Sequence, residues 1–272
     1  MSEEIGNFKI GLISGEGEFP LILAKELKNS NYQVVALTFS KNQTKNLQKI
    51  VDKVHQIYIG QLEKLIKIFK EEEIKDLIFL GKIEKSLALR FNLPDRRALA
   101  LWQKVANRED NTILKALIEE LEKEGFTVKG PAEFLQKFLA KEEVYTLRSP
   151  TSKEWEDIYY GFKIAKAIGE LDIGQCVVVK DKMTVAVEAM EGTDATILRG
   201  GKLRAQAVVV KIAKPQQDLR LDLPVVGFHT VETLVKAKAK VLALEAGKTF
   251  FLQQEKAIDL ANRYQISIVG VK

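Results

Sequence analysis

The chain has 272 residues, 46% hydrophobic and 29% charged, with a net charge of +5. That mixture is the one found in soluble globular proteins of one large or two ordinary domains, and it excludes low-complexity, collagenous and disulfide-stapled classes. Acidic residues are mixed among the basic ones nearly everywhere, and no Arg-rich block carries interleaved aromatics, so no nucleic-acid partner is expected.

The opening MSEEIGNFKI is acidic and lacks an apolar core, so it is not read as a signal peptide. No apolar run approaches the ~20 residues that cross a bilayer. A cytoplasmic location is the expectation. Residues 9–14 are a short buried-strand run, broken at Gly15-Glu16-Gly17, and residues 19–27 then have helical spacing. Residues 32–38 and 55–59 read as strands, 62–69 as a helix face, and 77–80 as a strand ending at Gly81-Lys82. This alternation predicts an α/β, Rossmann-like parallel sheet covered on both faces.

Residues 86–142 look mostly helical. Asp110-Asn111-Thr112 is placed to cap 113–124, which stops at Gly125, and 126–128 is placed to return to the sheet. The pattern breaks over residues 147–152, with small polar residues and Pro150. The expected domains are therefore 1–148 and 149–272, with a hinge at 149–152. A helix over 155–171 follows. Strands are expected at 176–179, 184–189, 207–212, 241–245 and 266–269, with helices at 231–239 and 256–264. The second domain is thus α/β with a mixed sheet. Cys176, the only cysteine, lies in an apolar run and reads as a buried structural thiol. His55 and His229 belong to no metal-spaced motif.

Polar clusters sit just after the apolar runs, where a rigid scaffold holds reacting groups. Gly15-Glu16-Gly17 is either a phosphate-contacting turn or a plain tight turn, and Pro20 stands where a dinucleotide fingerprint has its third glycine. Gly81-Lys82 has the same position after its strand. Glu188, Glu191 and Asp194 flank Gly192-Thr193. Their carboxylates suit Mg²⁺, and Thr193 or Asp194 alternatively caps a helix at 195–199. Lys211, Lys214, Gln217, Asp218, Arg220 and Asp222 form the densest cluster. It supplies the cations and carboxylates of phosphoryl transfer, and the spacing of Asp218, Arg220 and Asp222 is that of one strand face. Glu245-Ala246-Gly247-Lys248 repeats the pattern.

Leu171–Gln175 (LDIGQ), Glu188–Asp194 (EAMEGTD), Lys214–Pro224 (KPQQDLRLDLP) and Glu245–Gly247, in this order, resemble the LpxI-type UDP-2,3-diacylglucosamine pyrophosphatases of lipid A biosynthesis. Gly11–Gly17 with Pro20, and Leu80–Lys82, are similar to that family's first half. The resemblance implies Mg²⁺-dependent hydrolysis of UDP-2,3-diacylglucosamine to UMP and 2,3-diacylglucosamine 1-phosphate (lipid X), with water attacking the uridine-side phosphorus. It implies Asp218 at the centre of catalysis, with Asp222 as the alternative, helped by Asp194, Lys211 and Lys214. Mg²⁺ would be held by Asp194, Asp218 and Glu191. Substrate would be bound by Gly15, Glu16, Gly17, Gly81, Lys82, Gln175, Glu191, Gly192, Thr193, Gln217, Arg220, Asp222 and Glu245. A homodimer is implied as well. Two acyl chains cannot hang in water at about 0.8 kcal/mol per methylene. They call for peripheral contact with the inner membrane or for an apolar tunnel. The rival readings are a non-catalytic lipid-nucleotide carrier and another Rossmann-type nucleotide-sugar enzyme.

Overall fold

Short runs rich in Val, Ile and Leu, too short for helix faces, form the strands of the first half. The computed structural model describes residues 8–82, 94–105, 110–216, 218, 220–221 and 223–272. Its first unit holds β1 (Lys9–Ser14), β2 (Gln33–Thr38), β3 (Lys53–Gln56), β4 (Asp76–Leu80) and β5 (Thr127–Lys129) in the order β3-β2-β1-β4-β5. All neighbours are parallel. The last five residues of β1 and of β2 are buried without alternation, so both faces of the sheet are covered. The helices are α1 (Phe19–Asn29), α2 (Lys41–Leu47), α3 (Leu62–Glu71), α4 (Arg96–Lys104) and α5 (Asp110–Lys123). Strand order reverses between β1 and β4, which brings their following loops side by side at the carboxyl edge.

The expected helical stretch 86–142 is only partly helical. Residues 86–93 and 106–109 lie outside the described residues. After α5 the chain enters β5 and two three-residue 3-10 turns, Pro131–Glu133 and Gln136–Phe138. Gly125 and Gly130-Pro131 punctuate this region and prevent a longer helix.

The second unit holds β6 (Cys176–Lys180), β7 (Met183–Val187), β8 (Val208–Lys211), β10 (Val241–Glu245) and β12 (Ser267–Val271), ordered β12-β10-β8-β6-β7. β8, β10 and β12 are parallel, and β6 runs against β8 and β7, so the sheet is mixed. β9 (Val225–Val226) and β11 (Phe250–Phe251) form a separate parallel pair. One face is covered by α6 (Ser152–Glu170), through Ile158, Ala165 and Ile168 against Val177 and Val210. The other is covered by α7 (Thr193–Leu203), α8 (Phe228–Lys236) and α9 (Gln254–Arg263), through Ile197, Leu234 and Ala257 against Val209 and Leu242.

The two units part between Leu135 and Gln136, earlier in the chain than the pattern break at 147–152. The reason is backbone pairing. Leu139 bridges Phe250, Val144 bridges Val269, and the Tyr145 N–H donates to the Ile268 carbonyl at 2.9 Å. The expected hinge is instead a braced helix start. Thr151 and Glu154 form a reciprocal cap on α6. Arg148 forks onto both Glu154 oxygens at 2.7 Å and reaches Ser267 Oγ at 2.6 Å. Among the described residues no helix is long and apolar enough to cross a membrane.

Candidate functional site

Because β8 and β10 are parallel and β6 opposes β8, the ends of β8 and β10 and the start of β6 share one edge of the second sheet. Lys211 and Glu245 close β8 and β10, and Cys176, which opens β6, lies opposite Lys211. Glu188, Lys211 and Glu245 are each only 5–6% exposed. Charged groups so buried need partners, and each has them. Lys211 Nζ donates to the Val225 carbonyl at 3.0 Å. Glu188 accepts from the Gln175 N–H at 3.2 Å and the Thr193 hydroxyl at 2.9 Å. Glu245 accepts from Lys166 at 2.7 Å on both oxygens, from the Ala213 N–H at 2.9 Å, and pairs with Lys248 at 3.1 Å. Burial pushes the Cys176 thiol up. The charges of Glu188 and Asp194 add to this and that of Lys211 opposes it, so all three side chains bear on one point. Cys176 is a buried free thiol, as its apolar setting predicts.

The turn before α7 differs from the expected cap. Gly192 is the cap residue, with φ of +82°, a conformation side chains disfavour. Thr193 is already helical and spends its hydroxyl on Glu188. Asp194 lies in the first turn of α7, where the helix dipole favours a carboxylate, and its Oδ2 is 3.6 Å from His229 Nε2. His229 Nδ1 is 3.3 Å from Glu232. Glu191 accepts from Arg199 at 2.5 Å and from the Ala189 N–H at 3.0 Å. The Arg199 guanidinium brings the Glu191 carboxyl down to about 2. Glu191 is therefore an ionised brace of this turn and a poor proton acceptor.

Past β8, Lys214 Nζ lies 2.7 Å from Asp172. Asp218 is gripped by Arg220: the backbone N–H and Nε donate to Oδ1 at 3.0 Å each, and Nη2 donates to Oδ2 at 2.8 Å. The Leu221 N–H donates to the Asp218 carbonyl at 2.9 Å. Asp218, Arg220 and Leu221 thus lie in a turn, and the strand-face alternation read from the spacing does not hold for Asp218 and Arg220. A carboxylate with a guanidinium two residues on favours local pairing over an extended run. Gln217 and Asp222 lie outside the described residues. Gln175 keeps a buried Oε1 that accepts no hydrogen bond.

For Mg²⁺ the decisive observation is the donor set. Among the described residues no three carboxylate, imidazole or thiol groups gather within reach of one ion. Glu191 is committed to Arg199 and Asp218 to Arg220. Asp194, Asp218 and Glu191 therefore do not fit a preformed three-carboxylate cage.

In the first unit, the loops after β1 and β4 zip together. The Gly15 N–H donates to the Leu80 carbonyl at 2.8 Å, and Glu16 and Lys82 exchange backbone bonds at 2.7 and 3.1 Å. Gln43 Nε2 fastens this loop to Ser14 Oγ at 3.1 Å and to the Gly17 carbonyl at 3.3 Å. The N–H groups of Gly15 and Glu16 are thus spent on protein. Pro20, at the second helical position, removes a further donor from the mouth of α1. The side chain of Lys82 is exposed.

Glu188 was read from sequence as a carboxylate beside the turn suited to Mg²⁺, but its ties to Gln175 and Thr193 are tertiary. Two further contributors were not assigned from sequence. Lys166 is one lysine among several on α6, and only the fold shows its pairing with Glu245. His229 opens α8 and meets Asp194 across two helix starts. No local pattern marks either pairing.

Two family models match the chain: the LpxI N-terminal domain over residues 9–138 and the LpxI C-terminal domain over residues 141–269. The UDP-2,3-diacylglucosamine pyrophosphatase LpxI of Caulobacter vibrioides is 28% identical over 97% of this chain and 97% of its own length. Among solved structures, the biotin carboxylase domain of Hydrogenobacter thermophilus 2-oxoglutarate carboxylase is 14% identical. It covers 65% of this chain and 35% of its own, with a TM-score of 0.27. The biotin carboxylase subunit of a pyruvate carboxylase is 12% identical over 62% and 34%, with a TM-score of 0.26. The chain spans about a third of those carboxylase chains, and likeness at that level carries no functional weight. The two domain models match in order and together run from residue 9 to residue 269, so the chain belongs to the LpxI family.

Proposed function

We propose that this protein hydrolyses the diphosphate of UDP-2,3-diacylglucosamine to UMP and 2,3-diacylglucosamine 1-phosphate, with water attacking the uridine-side phosphorus. The observation that carries the proposal is the meeting at one sheet edge of Lys211, opposite Cys176, and Glu188, whose N–H donates to the Cys176 carbonyl at 2.9 Å and whose carboxylate holds the turn bearing Asp194, with the Arg220-braced Asp218 on the loop after β8. The name of the Caulobacter vibrioides relative supports the same substrate.

Diphosphate cleavage needs positive charge beside the oxygens that gain charge, and a carboxylate that orients water. Lys211 supplies a buried ammonium whose position the Val225 carbonyl fixes. Lys214 adds a second cation, steadied by Asp172. Asp218 orients the attacking water. The Arg220 fork holds its carboxylate in one plane. Glu188 holds the Gly192-Thr193-Asp194 turn through the Thr193 hydroxyl.

Mg²⁺ dependence is part of the proposal. Mg²⁺ keeps several waters and is commonly held by one or two carboxylates plus substrate phosphates. The ion is accordingly assigned to the incoming diphosphate, whose charge it offsets when bound, and not to a ready cage. A cytoplasmic location, contact with the inner-membrane face and a homodimer are proposed on family resemblance alone.

The test is turnover of UDP-2,3-diacylglucosamine in ¹⁸O-water, with and without Mg²⁺, by the native protein and by Asp218→Asn. Labelled UMP that forms only with metal, and a loss of about 10²-fold or more in the variant with lipid binding kept, is the expected outcome. Binding without cleavage by the native protein would make it a carrier. Full activity in Asp218→Asn would move the central role to Asp222 or Asp194.

A further inference from the structure

Just past β8 the chain leaves the second sheet with its backbone held by side chains. The ladder between β8 and β10 ends at Lys211 and Leu244. Ala213, two residues on, is 1% exposed, so its N–H and carbonyl need partners. Glu245 Oε2 accepts the N–H at 2.9 Å, and Lys166 Nζ donates to the carbonyl at 3.3 Å. The same ammonium donates to both Glu245 oxygens at 2.7 Å. An ammonium has three donors and no acceptor, so Lys166 is fully spent on the protein. Glu245 also pairs with Lys248 through Oε1 at 3.1 Å.

The residues around Ala213 rest on the end of α6. Gly169 makes room for them: a Cβ there would lie 3.0 Å from Pro215 Cδ and 3.3 Å from Ile212 Cδ1. Gln216 Nε2 donates to the Glu170 carbonyl at 3.5 Å, and Lys214 is paired with Asp172 just beyond the helix. Residues 212–216 are therefore pinned to one helix end, with Lys214 in their middle and Asp218 two residues further on.

We infer that Lys166 and Glu245 are positioning residues for the reaction: they set kcat by fixing the backbone at Ala213, and through it Lys214 and Asp218, without touching substrate. The inference rests on the proposed function, which makes Lys214 a cation beside the diphosphate and Asp218 the group that orients water. Charge that develops in a transition state must meet groups already in place, and a misplacement of about 1 Å costs on the order of 10²-fold in rate.

Asp157 provides the control. It is 3% exposed, lies on the same helix, and accepts the N–H groups of Asp181 and Lys182 at the turn between β6 and β7, at the opposite edge of the sheet. Turnover of UDP-2,3-diacylglucosamine with Mg²⁺ and amide hydrogen exchange are measured on the native protein, Glu245→Gln, Lys166→Met and Asp157→Asn, each with native circular dichroism. Both clamp variants should lose about 10- to 100-fold in kcat with KM within about twofold, while Asp157→Asn keeps the native kcat. Exchange at Ile212 and Ala213 should quicken about tenfold or more relative to Ala243 in β10 in the clamp variants alone. Native kcat in both clamp variants overturns the inference and leaves the proposed function standing. So does an equal loss in Asp157→Asn, which would make the effect one of stability, or a KM that rises in step, which would make the pair a substrate contact. No turnover by the native protein sinks the pyrophosphatase reading instead. Exchange then decides alone: quickened exchange keeps the pair as the anchor of this loop, and unchanged exchange removes it.

Discussion

Arg220 and Glu245 show how charge is used around this site. Arg220 takes both oxygens of Asp218 with one planar group, which an ammonium cannot reproduce. Arg220→Lys should therefore lower kcat about 10- to 100-fold with little change in KM, the usual cost of losing an orienting partner. An equal rise in KM would instead assign Arg220 to substrate binding. Glu245 was expected to touch substrate, but it grips the backbone of residue 213. It accepts the Ala213 N–H, and its partner Lys166 donates to the Ala213 carbonyl at 3.3 Å. Burial pushes its carboxyl up, but Lys166, the Ala213 N–H and Lys248 outweigh burial and hold it below the usual range. Breaking a fully buried pair costs about 3–5 kcal/mol. Lys166 remains partly exposed, so Glu245→Gln should cost nearer 2–3 kcal/mol. Lys166→Met combined with Glu245→Leu should recover most of that loss, because an apolar pair of similar size has no charge to desolvate. A double-mutant cycle in urea reads both numbers, and a single-variant loss under 0.5 kcal/mol would show the clamp to be idle.

The zipped loops after β1 and β4 depend on two glycines for different reasons, which single substitutions separate. A Cβ on Gly15 would lie 2.6 Å from the Gly81 carbonyl carbon and the Lys82 oxygen, so the loops would have to part. Gly17 has open space around it, and only its φ of +110° resists a side chain. Gly15→Ala should abolish amide protection at Glu16 and Lys82 in hydrogen exchange. Gly17→Ala should cost about 1–2 kcal/mol and leave the bridge protected. Similar exchange in both variants would show that the bridge does not depend on close packing. These loops also mark how far sequence reaches. Their position after apolar strands was legible, because burial on both faces of a parallel sheet leaves continuous hydrophobic runs at β1, β2 and β4. In the second sheet the same continuous runs made β6, β8 and β10 legible as strands. α2 was not, since KNQTKNL has no apolar period and is started by the Ser40 cap on Gln43. β9 and β11, two residues each, are held by neighbours and not by any pattern of their own. The polar clusters were found by composition, but which charge meets which was hidden, because Lys166–Glu245 and Asp194–His229 join residues far apart in sequence.

Both units carry groups that tie stability to pH, and the signs give a plateau with two limbs. In acid, Asp52 and Glu72 in the first unit and Glu154 and Glu245 in the second have carboxyls held below their ordinary values. For Asp52, Glu154 and Glu245, burial opposes this but is outweighed by Lys28, Arg148 and Lys166; for Glu72, Lys53 is the main cause. A lowered folded pKa means the unfolded chain takes up protons first. Stability is therefore full above the unfolded values of 4.5 for Glu and 3.8 for Asp, and drains as pH falls below them. In alkali the leading group is Cys176, whose thiol is raised from 9.0 mainly by burial. The unfolded chain then ionises first, so stability is full below pH 9.0 and falls as pH rises beyond it, by at most about 1.4 kcal/mol per pH unit for one proton. Cys176→Ala removes that ionisation and also the packing of the buried Sγ, so it should be less stable at pH 7 yet lose less between pH 9 and 10.5. The second unit reports alone when Trp102→Phe leaves Trp155 on α6 as the only emitter. Urea titrations of Trp102→Phe and of Trp102→Phe/Cys176→Ala, followed by fluorescence across that range, give the two slopes. Parallel slopes would mean that the thiol is ionised or solvated in the native state, and the alkaline limb would then pass to Tyr145, whose phenol burial raises from 10.0.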